Sequence, residues 1–210
     1  MLKSIRSFVR REGRMTKGQR KALEALWPKY GLEISNRAIN FQVLEIGFGM
    51  SQSLLTMAAQ HPEQNFLGIE VYRPGVGALL LALEKQQLTN IRIYCADTVE
   101  VLQKCIPNNT LQKILILFPD PWPKKKHHKR RLIQPDFIKL LGKKLTKGGH
   151  LQIVTDWEDY AEHIIKIISV GNRHACSLQR IPPDPRPITK FEQRGKRLGH
   201  KIWDLCYKYG

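Results

Sequence analysis

Cysteine is scarce in this chain, with four thiols in 210 residues at Cys95, Cys105, Cys176 and Cys206. No two form a Cys-x-x-Cys pair, and their spacing suits neither a disulfide framework nor a metal site. The expectation is isolated buried thiols, no metal, and a reducing, cytoplasmic compartment. No apolar run approaches the roughly 18–20 residues of a membrane span, and the longest, near 79–81 and over 114–118, are short. The basic first residues have no apolar stretch behind them, unlike a secretory signal. Two nucleotide-binding signatures are missing as well. There is no GxxxxGK[ST] loop, and the pair Gly47 and Gly49 has Gln52 where a dinucleotide fingerprint needs a third glycine.

Negative charge is also thin. Eighteen acidic residues stand against 35 Lys and Arg, a formal charge of +17, while 42% hydrophobic residues keep the chain in the ordinary globular range. Such a balance points to a polyanionic partner, nucleic acid before membrane. The charge is unevenly placed. Residues 1–40 carry ten basic and three acidic side chains, and residues 121–150 carry ten and one. Residues 41–120, between them, carry five and seven. Two cationic blocks around a near-neutral centre suit a phosphate-binding surface, because each neutralised phosphate releases counterions.

Residues 17–27 read as a helix capped by Thr16 and closed before Pro28. From residue 41 the chain alternates short apolar runs (41–46, 66–69, 91–95, 114–118, 150–154) with helical stretches (51–60, 75–87, 98–105, 135–145). That alternation means βαβ units, hence a mostly parallel sheet with helices on both faces. A helix over 157–169, a proline-rich loop over 181–187 and a late strand over 201–207 follow. The reading is a basic N-terminal arm and helix at 1–40 and one α/β domain, Rossmann-like with a late antiparallel strand, at 41–210.

Ligands of an open α/β sheet bind at the carboxyl ends of its strands. There the sequence places Glu45, Gly47 and Gly49 after the first strand, Glu70 after the second, Asp97 after the third and Asp120 after the fourth. Glycines let the backbone turn tightly against a ligand, and Glu70 stands where an acid accepts bonds from ribose hydroxyls. An acid-x-Gly-x-Gly turn with later strand-end acids is the arrangement of S-adenosylmethionine methyltransferases. The fourth strand exits through Phe118, Pro119, Asp120, Pro121 and Trp122 into Lys124, Lys125, Lys126, His127, His128, Lys129, Arg130 and Arg131. The prolines stiffen this exit, and the most cationic stretch adjoins Asp120.

With these motifs the chain resembles the bacterial tRNA (guanine-N7-)-methyltransferase family over almost its whole length. The residues that carry the likeness are 5–10, 16–18, 44–50, 66–70, 74–77, 118–122, 129–131, 155–157 and 189–192. The joint occurrence of Phe-Pro-Asp-Pro-Trp at 118–122 with Thr-Lys-Phe-Glu at 189–192 is the selective part. The resemblance implies methyl transfer from S-adenosyl-L-methionine to N7 of guanosine 46 in the tRNA variable loop, giving 7-methylguanosine, with tRNA as partner and no obligatory protein subunit. It puts cofactor contacts on Glu45, Glu70, Asp97 and Asp120 and substrate contacts on Lys124, Asp156, Thr189, Lys190, Phe191 and Glu192. It puts RNA-backbone contacts on Lys126, His127, His128, Lys129, Arg130 and Arg131. One departure is Ser51, where the family often has glycine.

Guanine N7 has an in-plane lone pair, so the chemistry needs placement and charge stabilisation rather than a base, and the hard step belongs to the cofactor. Asp120 is the expected stabiliser of charge on the ring. Asp156 is a candidate second anchor, although Thr155 to Glu158 also reads as a capping box. The 189–192 segment reads as a mobile loop. Two rivals remain: a methyltransferase acting on an exocyclic amine, which would carry a second proline before the aromatic, and a binding protein that has lost its cofactor.

Overall fold

The computed structural model describes residues 13–35, 37–38, 40–50, 52–171 and 177–210. The motif at 5–10, Ser51 and Cys176 lie outside the described residues. Four strands with buried side chains set the centre: β2 (Val43–Ile46), β3 (Phe66–Ile69), β4 (Ile91–Tyr94) and β5 (Leu111–Leu117). With β1 (Gly31–Leu32), β6 (Leu145–Thr155), β7 (Leu178–Ile181) and β8 (Trp203–Tyr209) they form an eight-stranded sheet in the order β1-β4-β3-β2-β5-β6-β8-β7. Pairing is parallel from β1 to β6, and β8 runs antiparallel to both β6 and β7.

Strand faces alternate, so each face receives its own apolar layer. Leu44, Ile46, Ile114 and Ile116 point to one side, under α4 (Thr98–Lys104), α5 (Pro135–Lys144) and α6 (Glu158–Gly171). Val43, Phe66, Ile93 and Leu115 point to the other, under α1 (Lys17–Tyr30), α2 (Gln52–Gln60) and α3 (Arg73–Gln86). From β2 the order runs outward to β3 and β4 on one side and to β5 and β6 on the other. The β2/β5 boundary is therefore the switch point, where a cleft opens above the strand ends.

The expected parallel core is present, with four differences. First, α1 does not stop before Pro28 but continues to Tyr30 with the proline inside it. Buried Tyr30 and the Lys29–Glu84 pair at 2.8 Å tie this last turn to α3 and offset the missing amide. Second, β6 begins at Leu145 instead of 150, because its first residues pair back toward Leu111 across a register shift. Third, the capping box at 155–158 is not formed. Buried Thr155 ends β6, and its hydroxyl accepts the Trp157 N–H at 3.2 Å. Fourth, the segment read as a loop after the prolines is a helix, α7 (Lys190–Arg197). Thr189 caps it by accepting the Glu192 N–H at 3.1 Å.

Candidate active site

The cleft at the switch point has a volume of about 550 Å³. Gly47, Glu70 and Tyr72 line one wall, and Phe118, Asp120 and Leu132 line the other. Gly47 (φ 72°) and Gly49 (φ 52°) take left-handed backbone, and a Cβ at either would meet nothing within 4 Å. Conformation, not crowding, demands glycine there, and the turn leaves open space above it. Crowding does decide Gly75, since a Cβ there would come within 2.2 Å of the Gly49 carbonyl oxygen. The start of α3 thus buttresses the glycine turn.

Glu70 holds that turn from the cleft side. One carboxylate oxygen accepts the Gly49 N–H at 2.8 Å; the other accepts the Val71 and Tyr72 N–H groups at 2.7 and 2.9 Å. Glu45 sits beneath the turn rather than on the cleft wall, 1% exposed. Its Oε1 accepts the Ser53 hydroxyl at 2.5 Å, whereas Oε2 is buried without a hydrogen-bond partner. Burial pushes this carboxyl up to about 7, with the Ser53 bond opposing and Glu70 adding to the rise. Asp97 caps α4 by accepting the Glu100 N–H at 3.1 Å and stands off the cleft, where its neighbour Thr98 takes the lining position.

The raised carboxyl has a measurable consequence. Native Glu45 retains a proton that the unfolded chain releases near the ordinary value of 4.5. Stability therefore falls as pH rises from about 4.5 to about 7, then levels. Glu45→Gln is expected to remove this slope. Thermal melts at pH 5 and pH 8 check it: the gap in Tm between the two should shrink by several degrees, at roughly 2–4 °C per kcal/mol for a chain of this size. An unchanged gap would mean that Glu45 titrates normally.

Asp120 is exposed at the cleft lip and, among the described residues, makes no hydrogen bond or ion pair. Phe118 (φ 53°) and Trp122 (φ 46°), two residues to either side, both occupy left-handed backbone that such side chains rarely adopt. After them a 3₁₀ helix (Lys125–Arg130) carries the cations. Lys124, Lys126 and Lys129 are exposed, and Arg130 lies over the Trp122 ring at 5.1 Å. His127 packs edge-on against the same ring. Partial burial, then repulsion from Arg130, Lys126, Lys124 and Lys129, lowers its pKa. Arg131 differs from the others: it is 2% exposed and its guanidinium is turned inward.

Besides Asp120, Phe191 is the expected substrate residue that lines this cleft among those described; it is 60% exposed and stacked on Phe118 with ring centroids 6.3 Å apart. Lys190 is exposed beside it, and Thr189 is buried as the cap of α7. Glu192 is 4% exposed and held by Arg186 at 2.6 Å and Lys196 at 2.7 Å. Burial pushes the Glu192 carboxyl up, but the bonds from Lys196 and Arg186 prevail and keep it below its ordinary value. Asp156 faces a second cleft with Trp157 and Trp203, and its Oδ2 meets His200 Nδ1 at 3.1 Å.

Three features were missed in the sequence. Gly13 and Leu132 line the cleft though no motif marks them. A Thr189-x-x-Glu192 capping signature did announce α7. His150, Asp184 and Cys206 come together midway along β6 and β8, away from the cleft, with ligand atoms within 4.8 Å of one another. Lys113 already pairs with Asp184 there at 3.0 Å, so the carboxylate has its cation.

Residues 40–205 match a family described as "Putative methyltransferase". A tRNA (guanine-N(7)-)-methyltransferase of Alcanivorax borkumensis is 50% identical over 99% of this chain and 92% of its own length. One from Shewanella amazonensis is 51% identical over the same shares. Among solved structures, a SAM dependent methyltransferase from Aquifex aeolicus matches with a TM-score of 0.56 at 14% identity, over 91% of this chain and 89% of that one. The aminoglycoside resistance methyltransferase NpmB1 matches at 0.57 and 14%, over 94% and 95%. These distant structures show the same fold, and the near full-length identity to the bacterial enzymes goes further: the chain belongs to the tRNA (guanine-N7-)-methyltransferase family.

Proposed function

We propose that the protein transfers a methyl group from S-adenosyl-L-methionine to N7 of guanosine 46 in the tRNA variable loop. The observation that carries this reading is an exposed carboxylate, Asp120, unpaired among the described residues, at the lip of the switch-point cleft and five residues ahead of a lysine-rich helix. Identity of about half to enzymes named for guanine N7 supports it.

The cofactor fits the residues present. Glu45 has a buried acceptor without a donor, and the Gly47–Gly49 turn leaves open space where side chains would stand. Glu70 on the cleft wall would take the ribose hydroxyls, with the Gly47–Gly49 turn, supported from beneath by Glu45, holding the other end and Asp97 at the flank. When bound, the sulfonium supplies the electrophilic methyl group. The chain's own residues then have two tasks, to orient N7 toward that methyl and to stabilise the positive charge the purine acquires. Asp120 does both by accepting a guanine N–H. Phe191, exposed at the mouth, offers a stacking face for a base. The lysines at 124, 126 and 129 hold phosphates, so tRNA is the partner. No described helix is long and apolar enough to cross a membrane.

Replacing Glu70 is expected to weaken cofactor binding through two losses, the ribose acceptor and the clamp on the Gly49 amide. Titration of Glu70→Ala by calorimetry should show a loss on the order of 1.5–3 kcal/mol, the range for a hydrogen bond to a charged group. Unchanged affinity would place the ribose elsewhere.

Incubation of purified protein with labelled cofactor and tRNA transcripts carrying G46 or A46, followed by chemical cleavage at 7-methylguanosine, tests the function. Label on the G46 transcript alone, cleavable at that position, is the expected result. A label resistant to cleavage would favour methylation of an exocyclic amine, and absence of cofactor binding would favour a lapsed site.

A further inference from the structure

Arg131 stands at the end of the most cationic stretch of the chain, yet its guanidinium does not face solvent. Nε donates to the Pro121 carbonyl at 2.9 Å. Nη2 donates to the Asp159 carboxylate on α6 and meets His128 Nε2 at 3.1 Å. The plane lies 4.8 Å over the ring of Tyr160, itself fully buried, whose hydroxyl accepts the Ile133 N–H at 3.2 Å. The backbone is fixed too: the Arg131 N–H donates to the His128 carbonyl, and its own carbonyl accepts from Gln134.

We propose that Arg131 is a positioning residue that holds the Pro121 carbonyl, and with it the adjoining Asp120, in register with the cleft, and that it binds no phosphate. The inference rests on the reading that Asp120 meets the guanine. The exit from β5 contains Pro119, Pro121 and Pro123, none of which has an N–H to donate, and it passes through two left-handed non-glycine residues. Such a backbone persists only where its surroundings over-determine it. Arg131 supplies what the prolines lack, a donor aimed at the loop's own carbonyl. Asp159 anchors the other side of the fork, and chiefly through that bond its carboxyl is held below the ordinary value. A planar guanidinium keeps two acceptors at a set separation, which a lysine ammonium does not.

The two roles respond oppositely to Arg131→Lys in the full chain. As a clamp, the variant should lose on the order of a hundredfold in turnover at saturating G46 transcript, the cost of misplacing a reacting group by about 1 Å. The salt dependence of tRNA binding should stay as in the parent. Hydrogen exchange over residues 118–131, measured without tRNA, should quicken. Parental turnover in Arg131→Lys, or a log–log salt slope shallower by roughly 0.7–0.9 in Arg131→Met, would overturn the proposal and return Arg131 to the phosphate surface. If both variants misfold, Asp159→Ala decides, because its carboxylate is more than half exposed. It should lower turnover and quicken exchange with the slope unchanged; parental values of both would overturn the clamp. A parent that methylates no tRNA would sink the functional reading alone, while unaltered exchange in either variant would sink the clamp alone.

Discussion

Asp120→Ala is expected to abolish methyl transfer while leaving the melting temperature and the cofactor-binding stoichiometry near those of the parent. The carboxylate is exposed and bonded to nothing among the described residues, so its removal leaves no buried group unsatisfied and opens no cavity. Its contribution lies in the reaction. As N7 takes the methyl, the ring changes from neutral to cationic. A fixed carboxylate on a guanine N–H strengthens its interaction as that charge develops, which lowers the barrier rather than only the Michaelis constant. Loss of one such preorganised group typically costs about 10²–10³ in turnover. Asp120→Asn keeps a hydrogen-bond acceptor without the charge and should fall between parent and alanine. Single-turnover rates with saturating cofactor and tRNA measure all three. Near-parental turnover in Asp120→Ala would remove this residue from the mechanism.

The framework of this site was legible because strand ends are where short-range sequence and ligand geometry coincide. Runs such as 66–69 and 114–117 are continuous and apolar because both faces of a parallel sheet are covered, and the acid that follows each, Glu70 or Asp120, must then stand near the cleft. What the sequence left unread depends on contacts distant in the chain. Arg131 reads as one more surface cation in a run of them, and only Asp159, 28 residues on, with Tyr160, shows that it turns inward. Glu192 likewise reads as part of a mobile loop, but it lies in the first turn of α7, buried, with its carboxylate held by Arg186 and Lys196. Pro28 reads as a helix stop because propensity is local, whereas the α1–α3 packing that overrides it is not. Asp97 and Thr189 show a milder form of the same ambiguity. Each is an expected site residue whose oxygen takes an amide at a helix N-terminus, a capping role compatible with sequence alone.

Once Arg131 is set apart, the remaining cations of the 124–130 stretch divide from it in function, and their expected effect is on affinity. Lys124, Lys126 and Lys129 are exposed and form no ion pair among the described residues, so their charges are available to phosphates. Each phosphate contact should contribute about 0.7–0.9 to the log–log salt slope, so a Lys124→Gln, Lys126→Gln, Lys129→Gln variant should bind tRNA with a slope shallower by roughly 2–3. Turnover at saturating tRNA should survive, because contacts made equally in the bound state and the transition state lower the Michaelis constant without speeding the chemical step. The same variant carries an internal check. His127 is depressed partly by Lys126, Lys124 and Lys129. With those charges gone its titration should move up toward the ordinary histidine value, visible as a shifted midpoint of its ring proton resonances. A variant that keeps the parental salt slope would place the phosphates elsewhere on the basic surface. One that loses turnover at saturation instead would mean that the lysines orient the guanosine, as Arg131 is inferred to do through Asp120, and that the 124–131 stretch works as a single positioning element.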